Sequence, residues 1–175
     1  GADIIDIGAE STRPGAPKVP ANEQIKRLGT LVAFVVAQGA IASVDTTSVD
    51  VAKYALEQGA GMVNSVSLDI AASLAPAVAN HRAALVLTHC RGEMTKMAGF
   101  SQYRADAYDD LINEVAEEWQ SAADAAIAAG LSADALIFDP GLGFTKNATQ
   151  SLSLCVHLAE LKERLDCRIL VGPSR

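Results

Sequence analysis

Two stretches of this sequence carry side chains suited to a flat, charged ligand. The first is GAESTRPGAP over residues 8–17. Here an aliphatic run passes into Glu10, Ser11, Thr12 and Arg13, and Pro14 and Gly15 then force a turn. Thr12 offers a hydroxyl. Arg13 offers a planar guanidinium whose fork can donate two parallel hydrogen bonds to a phosphate or carboxylate. The second is DPGLGFTK over 139–146. Its glycines allow close backbone approach to a ligand, and Phe144 could pack on a ring. Each stretch also reads as an ordinary polar loop, because loops are commonly polar.

Further polar residues sit at the ends of aliphatic runs. Asp45 closes AIASVD, Asn64 lies in GMVNSV, His89 follows AALVLT and Asp139 closes ALIFD. Aspartate is rarely buried without a partner, so Asp45 and Asp139 are candidate acceptors for ligand N–H groups. The plainer alternatives are a helix cap for Asp45, ahead of Thr-Thr-Ser, and a turn role for Asp139, ahead of Pro-Gly. Asn64 has both donors and an acceptor and can read an amide-like edge. His89 has no second ligand at metal-binding spacing and reads as a hydrogen-bonded scaffold residue. Trp119 reads as a packing residue, and His81 and His157 as helix or surface positions.

These residues need elements to carry them. The pattern predicts strands over 3–8, 40–45, 61–66, 83–89, 135–139 and 168–172. Helices are expected over 22–38 with Asn22 as N-cap and Gly39 as the stop, and from Ser48 to residue 58, which Gly59 ends. A short helix is expected over 70–80 and a long one over 105–129, closed by Gly130. The last runs from a Thr149 cap to residue 165. Strict β and α alternation predicts an α/β fold with a parallel sheet. Polar residues at nearly every strand end, Ser174 included, favour a (β/α)₈ TIM barrel, whose strand ends converge on one mouth. An open doubly wound sheet would concentrate them at its switch point. No G-x-G-x-x-G follows the first strand, and no P-loop is present. Six strands do not close a barrel of eight, so about two β/α units are expected to lie outside a single domain spanning 1–175.

Composition sets further bounds. The chain has 175 residues, of which 50% are hydrophobic, 20% charged and 5% aromatic. This suits aliphatic strands under Ala-rich helices. The net charge of −7 argues against nucleic acid as a partner. Three cysteines without CxxC spacing indicate neither a disulfide framework nor a zinc site, and point to the cytoplasm. No apolar run approaches the roughly 20 residues of a membrane span.

ESTRPG, SVD at a strand end, VNxVS, DPGxGFxK and LVGPSR occur here in the order and approximate spacing of the dihydropteroate synthases, and the resemblance covers essentially the whole chain. It implies a (β/α)₈ barrel, homodimeric when full length, truncated here at both ends. It implies condensation of 6-hydroxymethyl-7,8-dihydropterin diphosphate with p-aminobenzoate, giving 7,8-dihydropteroate and pyrophosphate, with Mg²⁺ assisting. Thr12, Asp45, Asn64 and Asp139 would then hold the pterin diphosphate. Thr12, Arg13, Pro14, Phe144 and Ser174 would surround p-aminobenzoate, and Arg13, Asp45 and Asp139 would carry the catalysis. The metal ligands are not identified among these residues. The sequence departs from the family pattern at Ser65, where Asp is usual, at Ala9, where a second Gly is common, and at Gln150-Ser151, where a His-Asn pair is frequent. Two other readings share the barrel: a pterin-binding methyltransferase acting on a corrinoid, and a pterin-binding barrel without turnover.

Overall fold

The computed structural model of the chain describes residues 1–13, 15–92 and 96–172. Pro14 and Ser174, both expected at the site, lie outside the described residues. Among the described residues six parallel strands form one sheet: β1 (Ile4–Gly8), β2 (Ile41–Asp45), β3 (Met62–Ser65), β4 (Ala84–Thr88), β5 (Leu136–Asp139) and β6 (Arg168–Ile169). Their spatial order is β1-β2-β3-β4-β5-β6, the order of the chain. A doubly wound sheet reverses direction at its switch point; this one never does. It is six consecutive β/α units in barrel order, with the sheet left open between β6 and β1.

Helices α1 (Ala21–Leu28) and α2 (Leu31–Ala37) follow β1, and α3 (Val49–Glu57), α4 (Ala71–Asn80) and α5 (Leu111–Ala128) follow β2, β3 and β4. Helices α6 (Ala148–Val156) and α7 (Leu158–Leu165) lie between β5 and β6. The helices bury Leu28, Val32, Val51, Leu74, Trp119 and Leu154 against the outer faces of the strands. Trp119 packs edge-on to Phe138, ring centroids 5.4 Å apart, and its indole N–H donates to the Leu87 carbonyl at 3.0 Å. Side chains alternate across a strand, so the inner face has its own smaller cluster of Met62, Val86 and Ile137. Above that cluster, toward the strand C-termini, the inner face turns polar.

Several boundaries differ from the sequence expectation, each for a local reason. The helix over 22–38 is two helices, because Gly29 takes φ 48°, which no right-handed helix accommodates. Pro20, not Asn22, occupies the N-cap position. The long helix starts at Leu111, capped by Asp110, whose side chain accepts from Asn113 N–H. The preceding residues serve the neighbouring loop instead: the Ala107 carbonyl accepts from Arg91, and buried Tyr108 donates to the Thr145 carbonyl. The last helical stretch starts from Asn147 rather than Thr149, with a capping box to Gln150, and breaks at His157. The Ser48 cap of α3 is as expected, its hydroxyl accepting from Val51 N–H.

Candidate functional site

The C-terminal ends of β1, β2 and β3 build an acidic, hydrogen-bonded cluster. Asp45 and Asn64 are register partners on neighbouring strands, and Asp6 pairs with Ser43 one step below. Asp6 accepts from Ser43 Oγ at 2.6 Å and from Asn64 Nδ2 at 3.1 Å. Asp6 therefore fixes the orientation of the Asn64 amide and turns its carbonyl oxygen away. Asn64 Oδ1 and Asp45 Oδ1 are both buried without a hydrogen-bond partner among the described residues. A buried, unsatisfied acceptor is costly unless something donates to it. Two of them side by side suit a ligand edge rich in N–H groups.

The electrostatics agree. Burial of the Asp45 carboxyl, with Asp6 and then Glu10 nearby, pushes its pKa up to about 7. Like charges and desolvation both disfavour the ionised form, so a ligand that donates hydrogen bonds or brings positive charge would be drawn to this position.

Asp139 stands at the end of β5, on the same inner face. One carboxylate oxygen accepts from Gly141 N–H at 2.8 Å and the other from Thr88 Oγ1 at 3.2 Å. Burial raises its pKa, and these two donors oppose the rise. The turn role expected as an alternative is real here, and it leaves the carboxylate in a defined orientation. Asp45 does not cap a helix; Ser48 does.

The loop after β1 forms the outer wall. Glu10 holds it by accepting from Val19 N–H at 2.6 Å and Gln24 Nε2 at 3.2 Å. A cleft of about 260 Å³ opens between this loop and the ends of β2 and β3, lined by Glu10, Thr12, Lys18, Asp45, Thr47 and Asp69 among others. Thr12 and Asp45 share this cleft. Asn64 and Asp139 are not part of its lining; they lie on the inner face beside it. Arg13 is exposed at the loop tip. Phe144 is half-buried and meets Phe100 edge-on, ring centroids 5.1 Å apart.

Ser65 is fully buried and lies on the face opposite Asn64. Its hydroxyl donates to the Ser67 carbonyl and accepts from Ser67 N–H at 3.1 and 3.3 Å. The departure at this position therefore falls behind the sheet and leaves the inner face unchanged.

Sequence reasoning passed over Asp6. Its signal was present: a carboxylate two residues before Gly8 inside an aliphatic strand, and so on the face shared with the strand end. It also assigned no role to Glu118, Arg91 or Lys146. His89, expected to be a scaffold residue, is fully buried with both ring nitrogens bonded, Nε2 to Glu118 at 2.9 Å and Nδ1 to Lys146 at 2.9 Å.

Comparison with known proteins bears on the fold and the family. A family profile described as "Pterin binding enzyme" matches residues 1–175. A dihydropteroate synthase from Mycobacterium leprae is 40% identical over 176 residues, covering 100% of this chain and 60% of the relative. A Yersinia pestis dihydropteroate synthase, solved in complex with a sulfonamide drug, superposes with TM-score 0.88 at 32% identity, covering 98% of this chain and 61% of that one. A Xanthomonas albilineans dihydropteroate synthase with 4-aminobenzoic acid superposes with TM-score 0.85 at 38% identity, covering 98% and 59%. The chain thus spans about 60% of the length of its relatives.

Proposed function

Since the chain belongs to the pterin-binding enzyme family over its whole length, we propose that it is the central part of a dihydropteroate synthase. It would join 6-hydroxymethyl-7,8-dihydropterin diphosphate to p-aminobenzoate, releasing pyrophosphate. The observation that carries this reading is the pair of buried, unpartnered acceptors, Asp45 Oδ1 and Asn64 Oδ1, beside a loop bearing Thr12 and Arg13. Two solved relatives, one with 4-aminobenzoic acid and one with 7,8-dihydropteroate, support the substrate classes.

In this reading Asp45, Asn64 and Asp139 take the N–H and ring-nitrogen edge of the pterin. As the C–O bond to the diphosphate breaks, positive charge grows on the carbon attached to the pterin. Two oriented carboxylates near that ring stabilise the charge electrostatically. The aniline nitrogen then forms the new C–N bond and loses a proton, and pyrophosphate leaves with the C–O electron pair. No side-chain nucleophile takes part. Thr12, which lines the cleft beside Asp45, is assigned to the diphosphate, and Arg13, Pro14, Phe144 and Ser174 are assigned to p-aminobenzoate. Mg²⁺ belongs to the same expectation. Among the described residues no group of three His, Cys, Asp or Glu is arranged to hold an ion.

A homodimer is part of the proposal, supported by exposed Leu152 and Val156 on α6. A cytoplasmic setting is proposed from the free thiols Cys90, Cys155 and Cys167. Among the described residues no helix is long and apolar enough to cross a membrane.

The test is Arg13→Ala in the complete protein. If Arg13 orders p-aminobenzoate, the substitution lowers turnover far more than pterin affinity, since positioning is realised mainly on the way to the transition state. Equal losses in calorimetric pterin affinity and in turnover would remove Arg13 from that role.

A further inference from the structure

Lys146 is fully buried, and it makes no ion pair with a carboxylate among the described residues. Its Nζ instead donates to His89 Nδ1 at 2.9 Å, Phe144 O at 3.0 Å, His89 O at 3.1 Å and, more weakly, Gly141 O at 3.4 Å. Burying an ammonium is costly, and a well-packed apolar side chain would stabilise a core at least as well. A lysine here is better explained by what its donors hold than by stability.

What they hold is the loop from β5 to α6. Gly141 N–H orients the Asp139 carboxylate, and the Gly141 carbonyl leans on Lys146. Phe144 is held through its own carbonyl. The remaining contacts close a ring behind the site. His89 Nε2 bonds Glu118, Glu118 is gripped by Arg91, and Arg91 N–H donates to Thr145 Oγ1 at 3.0 Å. Thr145 is the residue before Lys146. It sits at φ 46°, a left-handed conformation unfavourable for a β-branched residue, and its carbonyl is fixed by Tyr108 Oη at 3.1 Å. Strain of this kind persists only where surrounding contacts over-determine it.

We propose that Lys146 is a positioning residue: its buried Nζ ties the end of β4 to the β5–α6 loop and thereby sets Asp139 and Phe144 for the pterin. The proposal rests on the site reading above. It acts through the loop, without contact between Lys146 and substrate.

The experiment is calorimetric titration of the complete protein with 6-hydroxymethylpterin, for the unmodified protein, Lys146→Met, Lys146→Gln and Leu154→Ala. Leu154 is a buried core residue of α6 outside the ring, so Leu154→Ala reports what general destabilisation does to binding. Lys146→Met is expected to keep its far-ultraviolet circular dichroism and lose at least tenfold in affinity. Lys146→Gln, which retains two donors, should lose less. Leu154→Ala should stay within about twofold despite a lowered melting temperature. Unchanged affinity in Lys146→Met, or an equal loss in Leu154→Ala, overturns the proposal. Should neither Lys146 variant fold, hydrogen exchange in the unmodified protein decides. The amides of 141–146 must already be slow to exchange without ligand, and fast exchange there contradicts a pinned loop. No pterin binding by the unmodified protein would sink the site reading itself, and this inference with it.

Discussion

At the residue scale the account turns on two aspartates held differently. Asp139 has both oxygens occupied by fixed donors, whereas Asp45 keeps one buried oxygen unpartnered and has its pKa raised to about 7 by burial, Asp6 and Glu10. A pterin that donates to Asp45 favours its ionised form. Affinity should therefore fall as pH drops below about 7, by at most about tenfold per pH unit, and binding at pH 6 should release up to one proton. Calorimetry at pH 6 in two buffers of different ionisation enthalpy reads this directly; flat affinity from pH 5.5 to 8 without proton exchange would contradict it. The sign for folding is opposite in character. The folded-state pKa lies above its ordinary carboxylate value, so the native state binds more protons across that window and loses stability as pH rises through it. Asp45→Asn should thus be no less stable than the parent at pH 8 while binding pterin poorly, a separation that thermal melts and titration can show. Asp139→Asn replaces an acceptor with a group bearing donors that would face Gly141 N–H and Thr88. It should weaken pterin binding by about 1.5–3 kcal/mol, the usual range for a hydrogen bond to a charged group; unchanged affinity with an intact fold would reduce Asp139 to a turn residue.

At the element scale, the strands and their polar ends were legible because aliphatic runs of this length, broken by helical stretches, leave few alternatives to a parallel sheet. Asp45, Asn64 and Asp139 could be read from strand ends alone. Asp6 was missed because it lies inside a strand, where only the alternation of faces reveals it. The Lys146–His89–Glu118–Arg91 ring was not legible at all, since its members come from α5 and the loops after β4 and β5, and no spacing in sequence brings them together. Helix boundaries failed where backbone geometry overrode propensity, as at Gly29, or where a segment was drawn into tertiary bonds, as at Ala107 and Tyr108. The β5–α6 loop makes a sharp prediction of its own. A Cβ on Gly141 would lie 2.1 Å from the His89 carbonyl oxygen, and the residue has φ 65°. Gly→Ala stabilises by roughly 0.4–1 kcal/mol where the backbone is compatible, whereas Gly141→Ala should destabilise by more than that and should also weaken pterin binding. Urea unfolding that matches the parent would show that the loop is not packed against β4 as described.

At the scale of the whole molecule, six β/α units in barrel order leave β1 and β6 as open edges, and the inner face is uncovered where Ile4 and Ile41, register partners on β1 and β2, are exposed. Open edges invite pairing with other chains. The 175 residues expressed alone should therefore be prone to aggregate and show no synthase turnover; a soluble monomer that unfolds cooperatively and turns over normally would contradict this. The sequential strand order was foreseeable from the alternation of elements, whereas the division of the polar residues between a cleft beside Asp45 and the inner face near Asp139 was not, because it depends on how neighbouring strands are staggered. The most direct measurement of the central claim is pyrophosphate release by the complete protein supplied with 6-hydroxymethyl-7,8-dihydropterin diphosphate, with and without p-aminobenzoate, alongside methyl transfer from methyltetrahydrofolate to cobalamin. The account predicts release that depends on p-aminobenzoate and no methyl transfer; methyl transfer without p-aminobenzoate-dependent release would contradict it.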